Sequence, residues 1–301
     1  MSDYDVIIVG GGPAGLSAAL VLGRCRRAVL VCDNGQPRNA VSRGVHGYLT
    51  RDGLPPAELL RIGREQLEPY GVELRSCTVT DIEILPEPGG FSVEIDGGER
   101  KTARMVLLAT GVRDAVPEIE GIGEMYGVSV HHCPYCDGWE HRDEPVAVYG
   151  RGHHGFGLAL SMRTWSDDVI LCTDGPTGLR PKDRERLARN GVTIRSERIA
   201  RLEGTGGRLE RIVFADGSGL ERRALFFSST QKQGCDLAAK LNCRFTGHGA
   251  IWVDRQECTS VPGLFAVGDA SRDMQFVIVA ASEGAKAAVA INTEFQRQER
   301  P

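Results

Sequence analysis

Long hydrophobic runs and an excess of basic charge are both absent from this sequence of 301 residues. No apolar segment approaches the roughly 18 residues that a membrane-spanning helix needs, so we expect no membrane partner. The formal net charge of −4 leaves no overall positive field, which argues against nucleic acid as a partner. The apolar segment 6–9 begins too near Met1 to leave room for a signal peptide, and we therefore expect a cytoplasmic protein.

A regular framework of cysteines is also missing. The nine cysteines are an odd number, and apart from one closely spaced pair they are scattered, unlike those of a disulfide-rich secreted domain. We expect most of the others to be reduced, small apolar side chains, among them Cys25, Cys32, Cys77, Cys172 and Cys243. The composition, with 41% hydrophobic and 25% charged residues, is that of a globular chain long enough for one large or two smaller domains.

The first glycine-rich segment joins a short apolar strand, residues 4–9, to a helix rich in alanine and leucine. In a dinucleotide-binding fold, Gly10 permits the tight turn, Gly12 lets the backbone approach a pyrophosphate, and Gly15 brings helix and strand together. The pyrophosphate then meets free N–H groups at the helix start. A second apolar strand ends at Asp33, whose carboxylate suits a ribose diol. The sequence thus predicts a dinucleotide site that contains Gly10, Gly12, Pro13, Ala14, Gly15 and Asp33.

A second glycine-rich loop follows the apolar segment 145–149, and the next apolar segment, 168–172, ends at Thr173-Asp174. We interpret it as a second nucleotide-binding domain inserted into the first. The expected fold is α/β, with two doubly wound domains: residues 1–113 plus 247–301 outside and residues 114–246 inside. The second candidate nucleotide site consists of Gly150, Gly152, His153, His154, Gly155 and Asp174.

Between the two loops lies the pair Cys133 and Cys136, in the segment His-His-Cys-Pro-Tyr-Cys-Asp-Gly. A dithiol in this place suggests that electrons pass from a cofactor into a disulfide. A thiol at the start of a helix is held as a thiolate by the helix end, which keeps Cys133 nucleophilic. Zinc bound with His131 and His132 is the competing interpretation. Structural zinc usually takes two separated ligand pairs, and since no second Cys-x-x-Cys exists we expect redox chemistry and no metal.

Two later segments resemble parts of the flavoproteins that bind two dinucleotides. Residues 105–111 form an apolar run ending in Thr110-Gly111, and residues 263–270 contain Gly268-Asp269, whose aspartate in that family lies on the ribityl chain of FAD. The redox pair stands just before the second loop and not near the first. With these features the chain resembles the low-molecular-weight thioredoxin reductase family along nearly its whole length. The resemblance implies FAD in the first loop, a thioredoxin-like partner and a homodimer.

The same resemblance implies roles for single residues. The cysteine nearer the C-terminus, Cys136, would face the flavin, and Cys133 would attack the disulfide of the partner. Asp137, the acid after the second cysteine, would supply a proton to the released thiolate. Backbone N–H groups around Val277 and Ile278 would face the flavin ring.

The second loop departs from the family pattern, which makes the chain an atypical member. NADPH-dependent relatives carry an arginine-rich run where this chain has Thr173-Asp174. The loss of two charged contacts of about 1.5–3 kcal/mol each predicts poor NADPH binding. Asp174 suits the free ribose of NADH or of another adenine dinucleotide, including a second FAD. Arg151 and the two histidines after Gly152 add bulk where the nicotinamide loop is commonly small. An Arg-Gln-Ala triplet typical of the family is missing from residues 271–279.

Three interpretations of the electron flow stay open at this point. The first, which we favour, is a disulfide reductase acting on a thioredoxin-like protein or a small disulfide, fed by NADH, weakly by NADPH, or by another donor such as ferredoxin. The second is a dithiol oxidase that closes disulfides in a small molecule or protein and returns electrons to oxygen; the segment 133–140 resembles such oxidases. The third is a flavin-bound redox sensor without turnover.

Overall fold

The computed structural model describes residues 2–86, 89–272 and 274–300. The chain divides into two compact units. Residues 2–40, 47–113 and 231–300 form the first unit, and residues 41–46 and 114–230 form the second. In this division the chain leaves the first unit after Arg113 and returns to it at Gln231, whereas the motifs placed the return at residue 247.

The strands, in chain order, are β1 (Tyr4–Val9), β2 (Val29–Asp33), β3 (Glu73–Ser76), β4 (Val79–Ile84), β5 (Phe91–Ile95), β6 (Glu99–Leu108), β7 (Val112–Asp114), β8 (Val130–His131), β9 (Val146–Tyr149), β10 (Val169–Cys172), β11 (Thr193–Arg195), β12 (Ile199–Thr205), β13 (Arg208–Phe214), β14 (Gly219–Glu221), β15 (Ala224–Phe227), β16 (Gln231–Gln233) and β17 (Leu264–Ala266). The α-helices are α1 (Pro13–Arg24), α2 (Pro56–Glu65), α3 (Ile122–Met125), α4 (Pro134–Asp137), α5 (Gly152–Met162), α6 (Pro181–Arg189), α7 (Leu237–Lys240) and α8 (Val277–Glu299). Short 3₁₀ turns cover Arg38–Val41, Glu68–Tyr70, Trp139–His141 and Gly268–Ala270.

A seven-stranded sheet forms the centre of the first unit. Strands β3, β2, β1, β6 and β17 run parallel. Beyond the first half of β6, β5 pairs antiparallel with β6, and β4 pairs antiparallel with β5. Helices α1 and α8 pack on one face, and residues of α7 and the segment after it cover the other. Burial on both faces explains why residues 6–9 of β1 are an unbroken valine and isoleucine run, as is typical of parallel sheets.

The segment 231–246 belongs to the first unit because its own apolar residues are buried there. Strand β16 pairs with β7, and the Gly234 N–H donates a hydrogen bond of 2.9 Å to the Gly111 carbonyl. Leu237 and Leu241 join the core of the first unit. After α7, Ile251 forms a single antiparallel bridge with Phe245.

The second unit repeats the same construction on a smaller scale. Its sheet has five parallel strands in the order β11, β10, β9, β15, β8. Helices α5 and α6 cover one face, and the antiparallel strands β12, β13 and β14 cover the other. The succession β9, α5, β10, α6, β11 is that of a nucleotide-binding fold, so the α/β class with two such domains is confirmed. In the part of the chain that the structure describes, no helix is long and apolar enough to cross a membrane.

Candidate active site: a disulfide and two glycine-rich loops

The first glycine loop lies where three parallel strands end side by side. Val9, Leu108 and Ala266, the last residues of β1, β6 and β17, are neighbours in register. Gly10 turns with a φ of +109°, and a side chain there would overlap the carbonyl of Ala109. The loops after these strands therefore meet at one edge of the sheet, which is where ligands of such folds bind.

Gly15 and Gly12 differ in the space around them. A Cβ on Gly15 would overlap the carbonyl oxygen of Gly10, so this glycine lets α1 pack directly against the turn. A Cβ on Gly12 would meet no protein atom within 4 Å. Helix α1 begins at Pro13 without a side-chain cap, which leaves backbone N–H groups at its start for a ligand.

Asp33 lies at the end of β2, directly beside the loop. A Cβ on Gly11 would lie 2.5 Å from its Oδ2 atom. Its Oδ1 accepts a hydrogen bond of 3.1 Å from the Gly35 N–H, and its Oδ2 accepts one of 2.8 Å from the Arg64 guanidinium. Arg64, on α2, was not found from the sequence because nothing in its local pattern relates it to a residue 31 positions earlier.

The segment with Gly268 and Asp269 reaches the first loop, as does the start of α8. Gly268 has a φ of +70°, and a Cβ there would lie 3.1 Å from the Cβ of Ala14. The Arg38 guanidinium donates a hydrogen bond of 2.9 Å to Asp269 Oδ2. Thr110 and Gly111 follow β6 at the same edge, and Val277 and Ile278 open α8, which begins without a side-chain cap.

Two further residues that sequence reasoning missed hold this turn in place. Glu283 accepts a hydrogen bond of 2.9 Å from the Gly268 N–H and another of 2.9 Å from the Arg272 guanidinium. Burial raises the pKa of the Glu283 carboxyl, while these hydrogen bonds favour its charged form. The one signal in the sequence is an acid within the alanine-rich part of α8.

The Cys133 and Cys136 side chains form a disulfide, with the two Cα atoms 5.3 Å apart. Cys133 precedes the single turn of α4, and its carbonyl accepts a hydrogen bond of 3.2 Å from the Cys136 N–H. Tyr135 and Trp139 are 69% and 63% exposed. Two aromatic rings beside the disulfide thus face solvent.

The other seven cysteines are free thiols. Burial raises the pKa of Cys32, Cys77 and Cys243, and it raises that of Cys172 to about 12, which keeps these thiols protonated and unreactive. Cys25 is exposed, so it departs from the expected apolar surroundings because it follows the last turn of α1 at the surface.

The adjacent histidines before the disulfide point into two separate networks. His131 is buried, its Nδ1 lies 3.3 Å from Asp137 Oδ1, and its Nε2 lies 3.1 Å from the Nε2 of His141. His132 Nδ1 lies 3.2 Å from the Tyr126 hydroxyl. Within residues 2–86, 89–272 and 274–300, no three histidine, cysteine or acidic side chains are grouped so as to hold a metal ion.

The second glycine loop has the geometry of the first, yet its own chain fills part of it. A Cβ on Gly155 would lie 2.5 Å from the Gly150 carbonyl oxygen, so α5 packs closely on the turn. The Gly152 N–H, at the start of α5, donates a hydrogen bond of 2.9 Å to the carbonyl of Thr177. His153 and His154 are exposed on the first turn of α5.

Arg151 extends from this loop across the end of β10. Its Nε donates a hydrogen bond of 2.6 Å to the Thr173 carbonyl, and its Nη2 contacts both the carbonyl and, at 3.3 Å, the carboxylate of Asp174. Asp174 Oδ1 also accepts a hydrogen bond of 2.9 Å from the Ile199 N–H. Burial, together with the Asp174 charge, raises the pKa of the neighbouring Tyr149. The carboxylate assigned to a ribose is thus occupied by protein groups.

Comparison with known proteins shows which family has this combination of fold and motifs. The profile of the pyridine nucleotide-disulphide oxidoreductase family matches residues 4–284. The chain belongs to this family. A protein named probable thioredoxin reductase from Arthroderma benhamiae is 33% identical over 98% of this chain and 81% of its own length. The crystal structure of HlmI is 38% identical, with a TM-score of 0.94 over 98% of this chain and 93% of its own. That of the oxidoreductase from Agrobacterium tumefaciens is 35% identical, with a TM-score of 0.91 over 99% of each chain.

These likenesses confirm a thioredoxin-reductase-like flavin disulfide oxidoreductase. The residues of the first unit fit the FAD that this family uses. The open position at Gly12 is the kind of cradle that a Cβ would fill, and the uncapped start of α1 offers N–H groups to a pyrophosphate. Asp33, at the end of β2, lies where the adenosine ribose is held in such folds.

Proposed function

We propose that this protein passes two electrons between FAD and the Cys133–Cys136 pair and on to a thioredoxin-like partner or small disulfide, and that NADPH drives it poorly. Bound FAD supplies the electron pair. The protein supplies the dithiol, its proton donor and a surface for the partner.

Each residue of the disulfide segment has its own part in this proposal. Cys133, which precedes α4, attacks the disulfide of the partner, and Cys136, within the helical turn, exchanges electrons with the flavin. Asp137 donates a proton to the thiolate that is released, since its carboxylate follows Cys136 directly and is only 19% exposed. The exposed rings of Tyr135 and Trp139 support a role in contacting the partner, because aromatic side chains are enriched in such interfaces.

The observation that carries the NADPH part of the proposal is the position of Arg151. Its guanidinium lies on the Thr173 and Asp174 carbonyls, where a 2′-phosphate or ribose has to be held. The Gly152 N–H is likewise directed to Thr177 and not to a pyrophosphate. A nucleotide has to displace both contacts before it binds, which lowers its apparent affinity. The reductase is then supplied by NADH or by another donor such as ferredoxin.

A dithiol oxidase is the second candidate, and the same closure of the second loop favours it. An oxidase needs no nicotinamide, because the substrate dithiol reduces the disulfide and the electrons leave through FAD to oxygen. The family relation is equally compatible with this direction of electron flow.

Flavin bleaching under anaerobic conditions separates these candidates. We expect NADPH to bleach the flavin slowly, whereas reduced ferredoxin bleaches it directly and an excess of dithiol bleaches it through Cys136. Oxygen consumption with a dithiol substrate, at a rate matching disulfide formation, identifies the oxidase. Reduction of an oxidised thioredoxin identifies the reductase. Rapid bleaching by stoichiometric NADPH contradicts the proposal, and the absence of turnover with every donor and acceptor leaves a redox sensor.

A further inference from the structure

Four side chains form a continuous line from the disulfide helix to the protein surface. Asp137 Oδ1 lies 3.3 Å from His131 Nδ1, His131 Nε2 lies 3.1 Å from His141 Nε2, and His141 Nδ1 lies 2.9 Å from Glu144 Oε2. Both histidines are buried, while the Glu144 side chain is 43% exposed. The line therefore leads from the acid beside Cys136 through the interior to solvent.

The three contacts define how many protons the line holds. The contacts of His141 with His131 and with Glu144 are hydrogen bonds, and the one between the two Nε2 atoms requires one proton shared between the rings. The contact of Asp137 with His131, at 3.3 Å, is an ion-pair contact that a small shift of the carboxylate brings to hydrogen-bonding distance. Three protons then satisfy three hydrogen bonds. With a protonated Asp137 each donor points toward Glu144, and with a protonated Glu144 each donor points toward Asp137. If every proton crosses its own hydrogen bond, one proton moves from one carboxyl to the other.

We propose that Asp137, His131, His141 and Glu144 form the proton path between the dithiol and solvent. The inference deepens the function proposed above, because it assigns the route of the proton that Cys136 loses or gains. Cys133 first attacks the substrate disulfide, which releases one substrate thiolate and leaves a mixed disulfide on Cys133. Cys136 then gives its S–H proton to Asp137, and its sulfur bonds to that of Cys133. This step breaks the mixed disulfide and releases the second thiolate, so that the substrate has accepted two electrons. The proton leaves through the histidines and Glu144. Reduction of the disulfide returns a proton by the reverse route.

The groups around His131 and His141 do not compete for the hydrogen bonds of this proton path. Phe226 packs against both rings, with centroid distances of 5.4 and 6.1 Å, and offers no hydrogen-bonding side-chain group. The nearest charged groups on the neighbouring turn are directed elsewhere: the Arg142 guanidinium lies over Trp139, and Glu140 pairs with His46 at 3.5 Å. His132 belongs to the separate network of Tyr126 and Asp114.

A chromogenic disulfide separates the step that needs the path from the step that does not. The protein, with the exposed Cys25 replaced by serine, is reduced, desalted and mixed with one equivalent of 5,5′-dithiobis(2-nitrobenzoate). Attack by Cys133 releases the first thiolate. Attack by Cys136 on the mixed disulfide releases the second, in a step that is independent of protein concentration and requires loss of the Cys136 proton. This experiment needs no electron transfer through the flavin.

We expect His131→Gln and His141→Gln to retain the first phase and to slow the second roughly tenfold or more, because glutamine keeps a hydrogen bond but cannot pass a proton. In mixtures of H2O and D2O, the rate constant of the second phase should depend on the deuterium content along a curve in the protein with only Cys25 replaced, because several protons move together. Glu144→Gln should make this dependence straight. Glu140→Gln, which replaces an acid of similar exposure four residues earlier, is the matched control and should change neither phase.

The proposal is overturned if a folded His141→Gln variant keeps the rate of the second phase. It is also overturned if this rate depends linearly on deuterium content in the protein with only Cys25 replaced. If a histidine variant fails to fold, the exposed Glu144→Gln decides the question through the deuterium dependence alone. If the protein with only Cys25 replaced shows no first phase, the conclusion is a different one. That result shows that Cys133 is not the exchanging thiol and contradicts the proposed function itself.

Discussion

The guanidinium of Arg151 lies 3.3 Å from the carboxylate of Asp174, across the end of strand β10. Arg151 belongs to the second glycine loop and Asp174 to the turn after the next strand, so the contact joins the two parts of the candidate nucleotide site. Because the Arg151 side chain is 57% exposed, the ion pair itself is weak, and its effect comes from the position that it occupies.

Removal of the Arg151 side chain should open this site. We expect Arg151→Ala to increase the rate of flavin reduction by NADH and NADPH about tenfold at low nucleotide concentration, because the closed state no longer competes with the nucleotide. Stopped-flow bleaching under anaerobic conditions measures the rate. Thr173 is buried and its hydroxyl donates to the Gly175 carbonyl, so an arginine for binding a 2′-phosphate cannot be introduced there. Arg180→Ala, at the residue that precedes helix α6, is the control.

Serine at either position of the disulfide should stop exchange and leave the flavin bound. We expect Cys133→Ser and Cys136→Ser to lose reduction of a disulfide substrate while keeping the FAD content of the parent, since both residues lie in the second unit and the first glycine loop in the first. Cys77→Ser, a buried free thiol, is the control for general effects of the substitution. Exchange activity that persists in either active-site variant contradicts the assignment.

Alanine substitutions of Gly15 and Gly12 should affect two different properties, stability and FAD binding. Gly15→Ala places a Cβ against the Gly10 carbonyl and should lower the free energy of unfolding by about 1–3 kcal/mol. Gly12→Ala meets no protein atom within 4 Å, so it should change stability by less than about 0.5 kcal/mol yet reduce FAD content. Denaturation of the apoprotein and absorbance of the bound flavin measure the two effects. Gly98→Ala, with equally open surroundings, should change neither; full FAD content in Gly12→Ala contradicts the binding assignment.

The end of α8 should contribute stability that depends on pH. Hydrogen bonds from Arg27 and then Arg104 lower the pKa of Glu299 to about 2. This pKa in the folded protein lies below the ordinary value of about 4.3 for a glutamate in the unfolded chain. The charged Glu299 therefore stabilises the fold fully above a pH of about 4.3, and this contribution is lost as the pH falls toward 2. Glu299→Gln should therefore lower the urea midpoint at pH 7 and have progressively less effect below pH 4. The difference should also shrink in 1 M salt, since the group is at the surface.

Local pattern was sufficient for the strands, the glycine turns and the dithiol. The apolar runs that end at Val9 and Cys172 form β1 and β10, because a short unbroken apolar run bounded by turn residues is a local signal for a buried strand. The same holds for Cys133 and Cys136, whose spacing alone allows a disulfide across one helical turn. The family resemblance rests on these local features, and the comparison confirms it.

By itself, then, the sequence determined the α/β class, the order of the two loops and the redox pair. Only the tertiary structure decided that Arg64 binds Asp33, that Glu283 holds Gly268, and that residues 231–246 join the first unit. The contacts of His131 with Asp137 and with His141 were likewise decided by the tertiary structure, since the local pattern assigned neither histidine a partner. In each case the partners lie on different turns or strands, and it is packing of the core that brings them within hydrogen-bonding distance.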